Sequence, residues 1–187
     1  MKCLKSILSG FLVTDCHKSA AGRIWEFVSR FTWQLPQTVC AFFYAAFLLV
    51  AGRVQKVRSA YGCTFVFCQY EDDGFGAVTL GSFVFVGMAC SIDENDFAPE
   101  RSNLLMHEYG HYRQGQVYGL SFLLVIGVES LVSAFVSKPL PAPYSFLDTH
   151  SQSWYEIDAN RRGADYIKKY FGLVWSNRSF PLSKLSV

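Results

Sequence analysis

The chain has 187 residues, of which 51% are hydrophobic and 17% aromatic, and its formal net charge is +2. Such a composition supports one domain with a real core across 1–187 and excludes an intrinsically disordered protein. Lysines and arginines are scattered rather than gathered in a stripe, which argues against a nucleic-acid-binding role.

The N-terminus is basic (Lys2, Lys5) and weakly apolar from Ile7 to Val13, but it lacks the small-x-small cleavage pattern of a secretory signal. Residues 1–20 carry no clear pattern. From 20 to 34, Ile24, Phe27, Val28 and Phe31 recur at helical spacing. Pro36 interrupts this run and suits the first turn of a helix over about 37–51. That second helix is apolar nearly all round, so it is expected at the centre of the core. The run Val39 to Ala51 is too short for a membrane span, and Leu120 to Val136 contains Glu129. Both are therefore expected as buried or membrane-surface helices.

The middle of the chain is β-like. Tyr61 to Tyr70 and Ala77 to Val86 are aromatic and β-branched, with Glu71-Asp72-Asp73-Gly74 between them. These read as two strands of an antiparallel hairpin. Pro99 and Glu100 suit the first turn of a helix that runs to about Tyr118 and stops at Gly119. An apolar helix over about 121–137 follows, then an extended loop imposed by Pro139, Pro141 and Pro143. The last helix is expected over Ser153 to Phe171, closed by Gly172. Residues 173–187 are not assigned. The six cysteines are irregularly spaced. They read chiefly as free thiols in apolar runs, with a Cys63–Cys68 disulfide as the alternative.

One motif carries chemistry. His107-Glu108-Tyr109-Gly110-His111 fits HExxH on a helix. Residues four apart share a helix face, so both imidazoles can reach one metal ion, and Glu108 beside them can act as a general base. The third ligand is expected to be Glu156, with His150 as its chief rival. Glu156, Ala159, Asn160 and Gly163 share one helix face. The small Ala159 and Gly163 let that face approach the HExxH helix closely, and Asn160 is placed to hydrogen-bond a ligating imidazole.

HEYGH followed by E-x-x-A-N-R-x-G resembles the gluzincin branch of the zincin metallopeptidases. The second element is similar to the E-x-x-A-D pattern of the HtpX-type peptidases, with Asn160 where those enzymes have Asp. The wider string over about 30–172 is similar to zincin-like domains of Bacteroidetes, which stand alone or end RHS-repeat proteins. This resemblance implies an α+β fold, mostly helical, with a small antiparallel hairpin or sheet beside the HExxH helix. It implies a Zn2+ cofactor, hydrolysis of peptide or protein substrates, and an edge strand for substrate, for which Ala77 to Val86 is the candidate. Donors to a reaction oxyanion are sought first in His150 and Tyr155, and less readily in Tyr109, Tyr112 and Tyr118.

The alternative is a non-catalytic zinc-containing binding module on the same scaffold. A membrane-embedded protease is disfavoured by Arg101, Glu108, Arg113 and Gln114 on the motif helix. Association with a membrane surface stays open. The pattern specifies neither compartment nor oligomeric state.

Overall fold

The computed structural model describes residues 2–69, 76–87, 97–128 and 153–175. The fold is α+β, with helices on both faces of a four-stranded mixed sheet ordered β1-β2-β4-β3. The strands are β1 (Val54–Ala60), β2 (Cys63–Cys68), β3 (Ala77–Leu80) and β4 (Phe83–Gly87).

The sheet corrects the single antiparallel hairpin expected from sequence. β1 and β2 form one hairpin and β3 and β4 another, and the two join through a parallel pairing of β2 with β4. The run 77–86, expected as one strand, is folded back on itself at Gly81-Ser82. Gly81 has φ 56°, and a Cβ there would sit 2.6 Å from the backbone of Thr38. The first hairpin turns at Tyr61-Gly62, both with positive φ (54° and 82°), the twist that suits a tight hairpin. Burial explains the order. β2 and β4 are buried at every position and occupy the centre, as continuous apolar runs in parallel pairs do. β1 and β3 expose part of their residues and form the edges.

Alternation along the two central strands divides the core. Phe65, Phe67, Val84 and Val86 pack towards Leu105, Met106, Tyr109 and Ile167. Val66, Cys68, Phe83 and Phe85 pack towards Ile7, Ala41, Ala45 and Leu48. The first layer belongs to α4 (Asn103–Tyr118) and α5 (Trp154–Phe171), and the second to α1 (Lys2–Ser9) and α3 (Leu35–Val50). α2 (Ala20–Phe31) is tied to its surroundings by buried polar groups. Arg30, fully buried, donates to the carbonyls of Phe11, Val13 and Gly62 and to the Tyr112 hydroxyl. Glu26, also fully buried, accepts from Lys18, from the Asp15 backbone N–H and from Tyr112. Such charges are tolerable inside only because they are paired and hydrogen-bonded.

Two helix expectations change. α3 is not central: only its Gln37, Thr38, Ala41, Ala45 and Leu48 stripe is buried, while Phe43 and Phe47 are 65% and 64% exposed. Small alanines face the sheet and the large rings face outward, so the helix lies on the surface despite its apolar circumference. Pro99–Arg101 forms a separate 3-10 turn, and α4 begins after it, capped by the Ser102 hydroxyl on the Leu105 N–H. Gly119 (φ 55°) ends α4, as expected. The described part of the next apolar helix winds widely over Phe122–Gly127. Cys3, Cys16, Cys40 and Cys63 are free thiols, so the alternative Cys63–Cys68 disulfide does not form. Cys63 and Cys68 are buried, whereas Cys16 and Cys40 are exposed. His150, Cys90, the acidic turn at 71–74 and the proline-rich loop lie outside the described residues.

Candidate metal centre

α4 and α5 cross at closer range than ordinary side chains allow. A Cβ on Gly110 would lie 1.9 Å from the Ala159 carbonyl oxygen, and one on Gly163 would lie 2.3 Å from that of Met106. Two glycines, one from each helix, thus let backbone meet backbone. This contact sets Glu156 of α5 opposite the two histidines of α4. His107 Nε2 and His111 Nε2 are 3.2 Å apart, and Glu156 Oε2 lies 3.0 Å from the first and 3.2 Å from the second. Three donor atoms from three residues therefore converge on one point and form a group able to hold a metal ion.

The other ring nitrogens are also held. Asn160 Oδ1 is 2.7 Å from His107 Nδ1, the contact expected from the spacing on α5. Gln114 Oε1 is 2.8 Å from His111 Nδ1. Gln114 spends its amide protons on the Tyr155 carbonyl (2.7 Å) and on Asp158 Oδ2 (2.9 Å), so its oxygen must face the imidazole. A carbonyl oxygen only accepts, so both Nδ1 atoms donate to it, and each ring turns its Nε2 to the convergence point, where a cation must displace any proton held there. Arg162 continues the chain by donating to Asp158 Oδ2 at 2.7 Å.

Electrostatics bind the group together. Burial alone would lower the His107 imidazole, but its hydrogen bond to Glu156 and the Glu108 and Glu156 charges outweigh it and raise its pKa to about 9. Burial alone would raise Glu156; hydrogen bonds from His107 and His111 and their charge hold it well below the usual carboxylate range. The centre is therefore a proton trap that a cation can take over.

Glu108 is buried and projects to the β3 side. The Thr79 hydroxyl lies 2.7 Å from Glu108 Oε2 and 2.9 Å from the Glu108 carbonyl. Thr79 and Gln114 are the two site residues that the sequence pattern does not single out. Gln114 is accessible as the i+3 neighbour of His111, whereas nothing in the local sequence links residue 79 to residue 108. Tyr155 is buried against Phe122 and Ile126 and lends its carbonyl to Gln114. Tyr109 and Tyr112 are fully buried on the sheet side of α4, which removes them as candidate donors to the site. Tyr118 lies at the end of α4 under the Arg162 guanidinium. His150 lies outside the described residues.

Asp15, Cys16 and His17 form a second group of potential ligands. Its carboxylate is already engaged by the Tyr166 hydroxyl and by the His17 backbone N–H, and the three residues are consecutive. Convergence from two helices is the stronger arrangement. Comparison with protein-family models, with curated proteins and with solved structures finds no match.

Proposed function

We propose that this chain is a zinc-dependent metallopeptidase of the zincin type, with His107, His111 and Glu156 as ligands and Glu108 as general base. The observation that carries this reading is the donor triangle. Its edges of 3.0–3.2 Å match the roughly 3.3 Å between corners of a tetrahedron whose metal–ligand bonds are about 2.0–2.1 Å. Two imidazoles and a carboxylate also suit zinc chemically and leave a fourth position open. When bound, zinc supplies Lewis acidity, which lowers the pKa of a water toward about 7 and polarises a carbonyl.

The protein's own groups do the rest. Glu108, one residue from a ligand, takes the proton of the attacking water and passes it to the leaving amine. The Thr79 hydroxyl holds Glu108 Oε2 and so fixes the direction in which the carboxylate works. Thr79 stands on β3, which among the described residues pairs only with β4. An extended peptide adding to that edge would run past Glu108 with its backbone held by sheet hydrogen bonds. Strand β3, Ala77–Leu80, is thus the part of the expected 77–86 edge that remains a candidate, because Phe83–Gly87 is interior.

The test is direct. Purified protein is expected to contain one zinc per chain and to cleave a peptide library, with cleavage lost on chelation and restored by zinc. Absence of metal from the wild type would overturn the proposal. Bound zinc without cleavage of any peptide would favour the zinc-containing interaction module instead.

Two further results are expected. Asn160→Ala should weaken zinc binding by about 10–100-fold, since the partner of a ligating imidazole fixes its tautomer and basicity, while Asn160→Asp should bind at least as tightly as wild type. Competition with a chromophoric chelator measures both. The second concerns protons. Without metal, His107 holds its proton up to a pH of about 9, so zinc must displace it at neutral pH. Binding should release about one proton per zinc near pH 7 and none from this group above about pH 9, with affinity rising between. Calorimetry in buffers of different ionisation enthalpy reads this directly. For the metal-free fold the sign is opposite. The raised His107 contributes stability present below its unfolded value of about 6.5, and that stability fades as pH rises through about 9.

A further inference from the structure

We propose that the outer face of α2 and α3 is a docking surface for an anionic lipid bilayer, on which the protein lies without crossing it. The face is apolar and exposed where a water-facing helix pair would be polar. On α2 it presents Ile24, Trp25, Phe27 and Phe31, and on α3 it presents Phe43 and Phe47, each between 38% and 65% exposed. These side chains are not scattered. Ring contacts run without a gap from Phe27 to Phe31 (4.7 Å between centroids), to Phe11 (6.4 Å), to Phe42 (5.2 Å) and to Phe43 (5.6 Å). A continuous apolar surface of this kind marks an interaction site rather than ordinary exposure.

Charge selects the occupant. Asp15 and Glu26 are the only acidic residues in the first 60, and both are completely buried in the polar network beneath α2. The exposed surface of this part of the chain therefore carries cations alone. Arg23 stands one turn before Phe27 on α2, Lys5 stands between the exposed Leu4 and Leu8 on α1, and Arg58 is exposed on the edge strand β1. Exposed aromatic side chains accompanied, in the same stretch of chain, by exposed cations and no exposed acid are what an interface of acyl chains and negative headgroups favours. A second protein surface would not require the acids to be absent.

Geometry selects the mode. Among the described residues no single helix is long and apolar enough to cross a membrane, and α2 and α3 together bend by 76°. A bent pair whose inner side is packed into the protein and whose outer side is exposed and apolar lies in the interface plane. Trp33, at the corner of the bend, donates to the Gln116 carbonyl of α4 at 3.0 Å. That tie links the docking face to the helix that bears His107 and His111, so the metal centre would be carried at a set height above the lipid.

Flotation of the full chain with vesicles tests this, using phosphatidylcholine alone and phosphatidylcholine with phosphatidylserine. The expected result is binding that requires phosphatidylserine, declines as salt is raised, and weakens roughly tenfold or more in the Phe43→Ser/Phe47→Ser double variant. Both rings are mostly exposed, so the variant should melt like the wild type, and Arg23→Glu should weaken binding without touching any apolar contact. Failure to float with either vesicle would overturn the proposal. So would unchanged binding in the double variant, or a dimer in sedimentation that the same two substitutions dissociate, which would assign the face to a second copy of the chain.

Discussion

Glu108→Gln is expected to leave zinc content unchanged and to reduce peptide hydrolysis by about 10²–10⁴-fold, the usual contribution of a positioned general base. The substitution is nearly isosteric. The glutamine oxygen can still accept from Thr79 Oγ1, which now lies 2.7 Å from Glu108 Oε2, so packing against β3 should survive. What the amide cannot do is take up the proton of the attacking water. The three donors from His107, His111 and Glu156 do not include this carboxylate, so metal should remain. Elemental analysis and initial rates on one peptide, measured on the same preparations, give both readouts. Wild-type rates in the variant would remove Glu108 from the chemistry, and loss of zinc would make it a ligand instead.

Gly110→Ala is expected to have the largest structural effect. The added methyl would lie 1.9 Å from the Ala159 carbonyl oxygen and 2.5 Å from its carbon. Both are backbone atoms of a helix, so neither can swing aside as a flexible side chain would. α4 and α5 must move apart to admit it, and overpacking of this kind typically costs about 1–3 kcal/mol. The separation acts on the metal centre as well. Glu156 sits within 3.2 Å of both imidazoles, and moving it outward opens the triangle beyond the span of one zinc ion. The expected outcome is a lower melting temperature together with loss of stoichiometric zinc. Gly76→Ala is the matched control and should do neither, because a Cβ at Gly76 would meet nothing within 4 Å among the described residues. Zinc bound by Gly110→Ala as tightly as by the wild type would show that the close crossing is not what holds Glu156 in place.

Much of the centre is legible in the chain itself. The helix bearing His107 and His111 depends on local periodicity, and so does the face that groups Glu156, Asn160 and Gly163. Both are helical in the structure, and the Asn160 contact to His107 follows from them. Gln114 lies within reach of the same reasoning, three residues further on. Other features are not legible. Gly81 stands in a run whose composition suits one continuous strand, although the chain reverses there against Thr38. The apolar circumference of α3 suggests a central helix, but hydrophobicity does not tell which side meets the sheet. Alanines do, because they permit close approach, and the phenylalanines are left outside.

The division follows from how far each interaction reaches along the chain. By itself the sequence determined the main helices from residue 20 onward, the glycines that close the two site helices and the sets of residues that share a helix face, since each depends on neighbours within a turn or two. Only the tertiary structure decided the parallel pairing of β2 with β4, the seating of Thr79 on Glu108 and the meeting of Gly110 with Ala159. Those contacts join segments well separated in the chain, and they are selected by which buried surfaces fit together rather than by any local pattern.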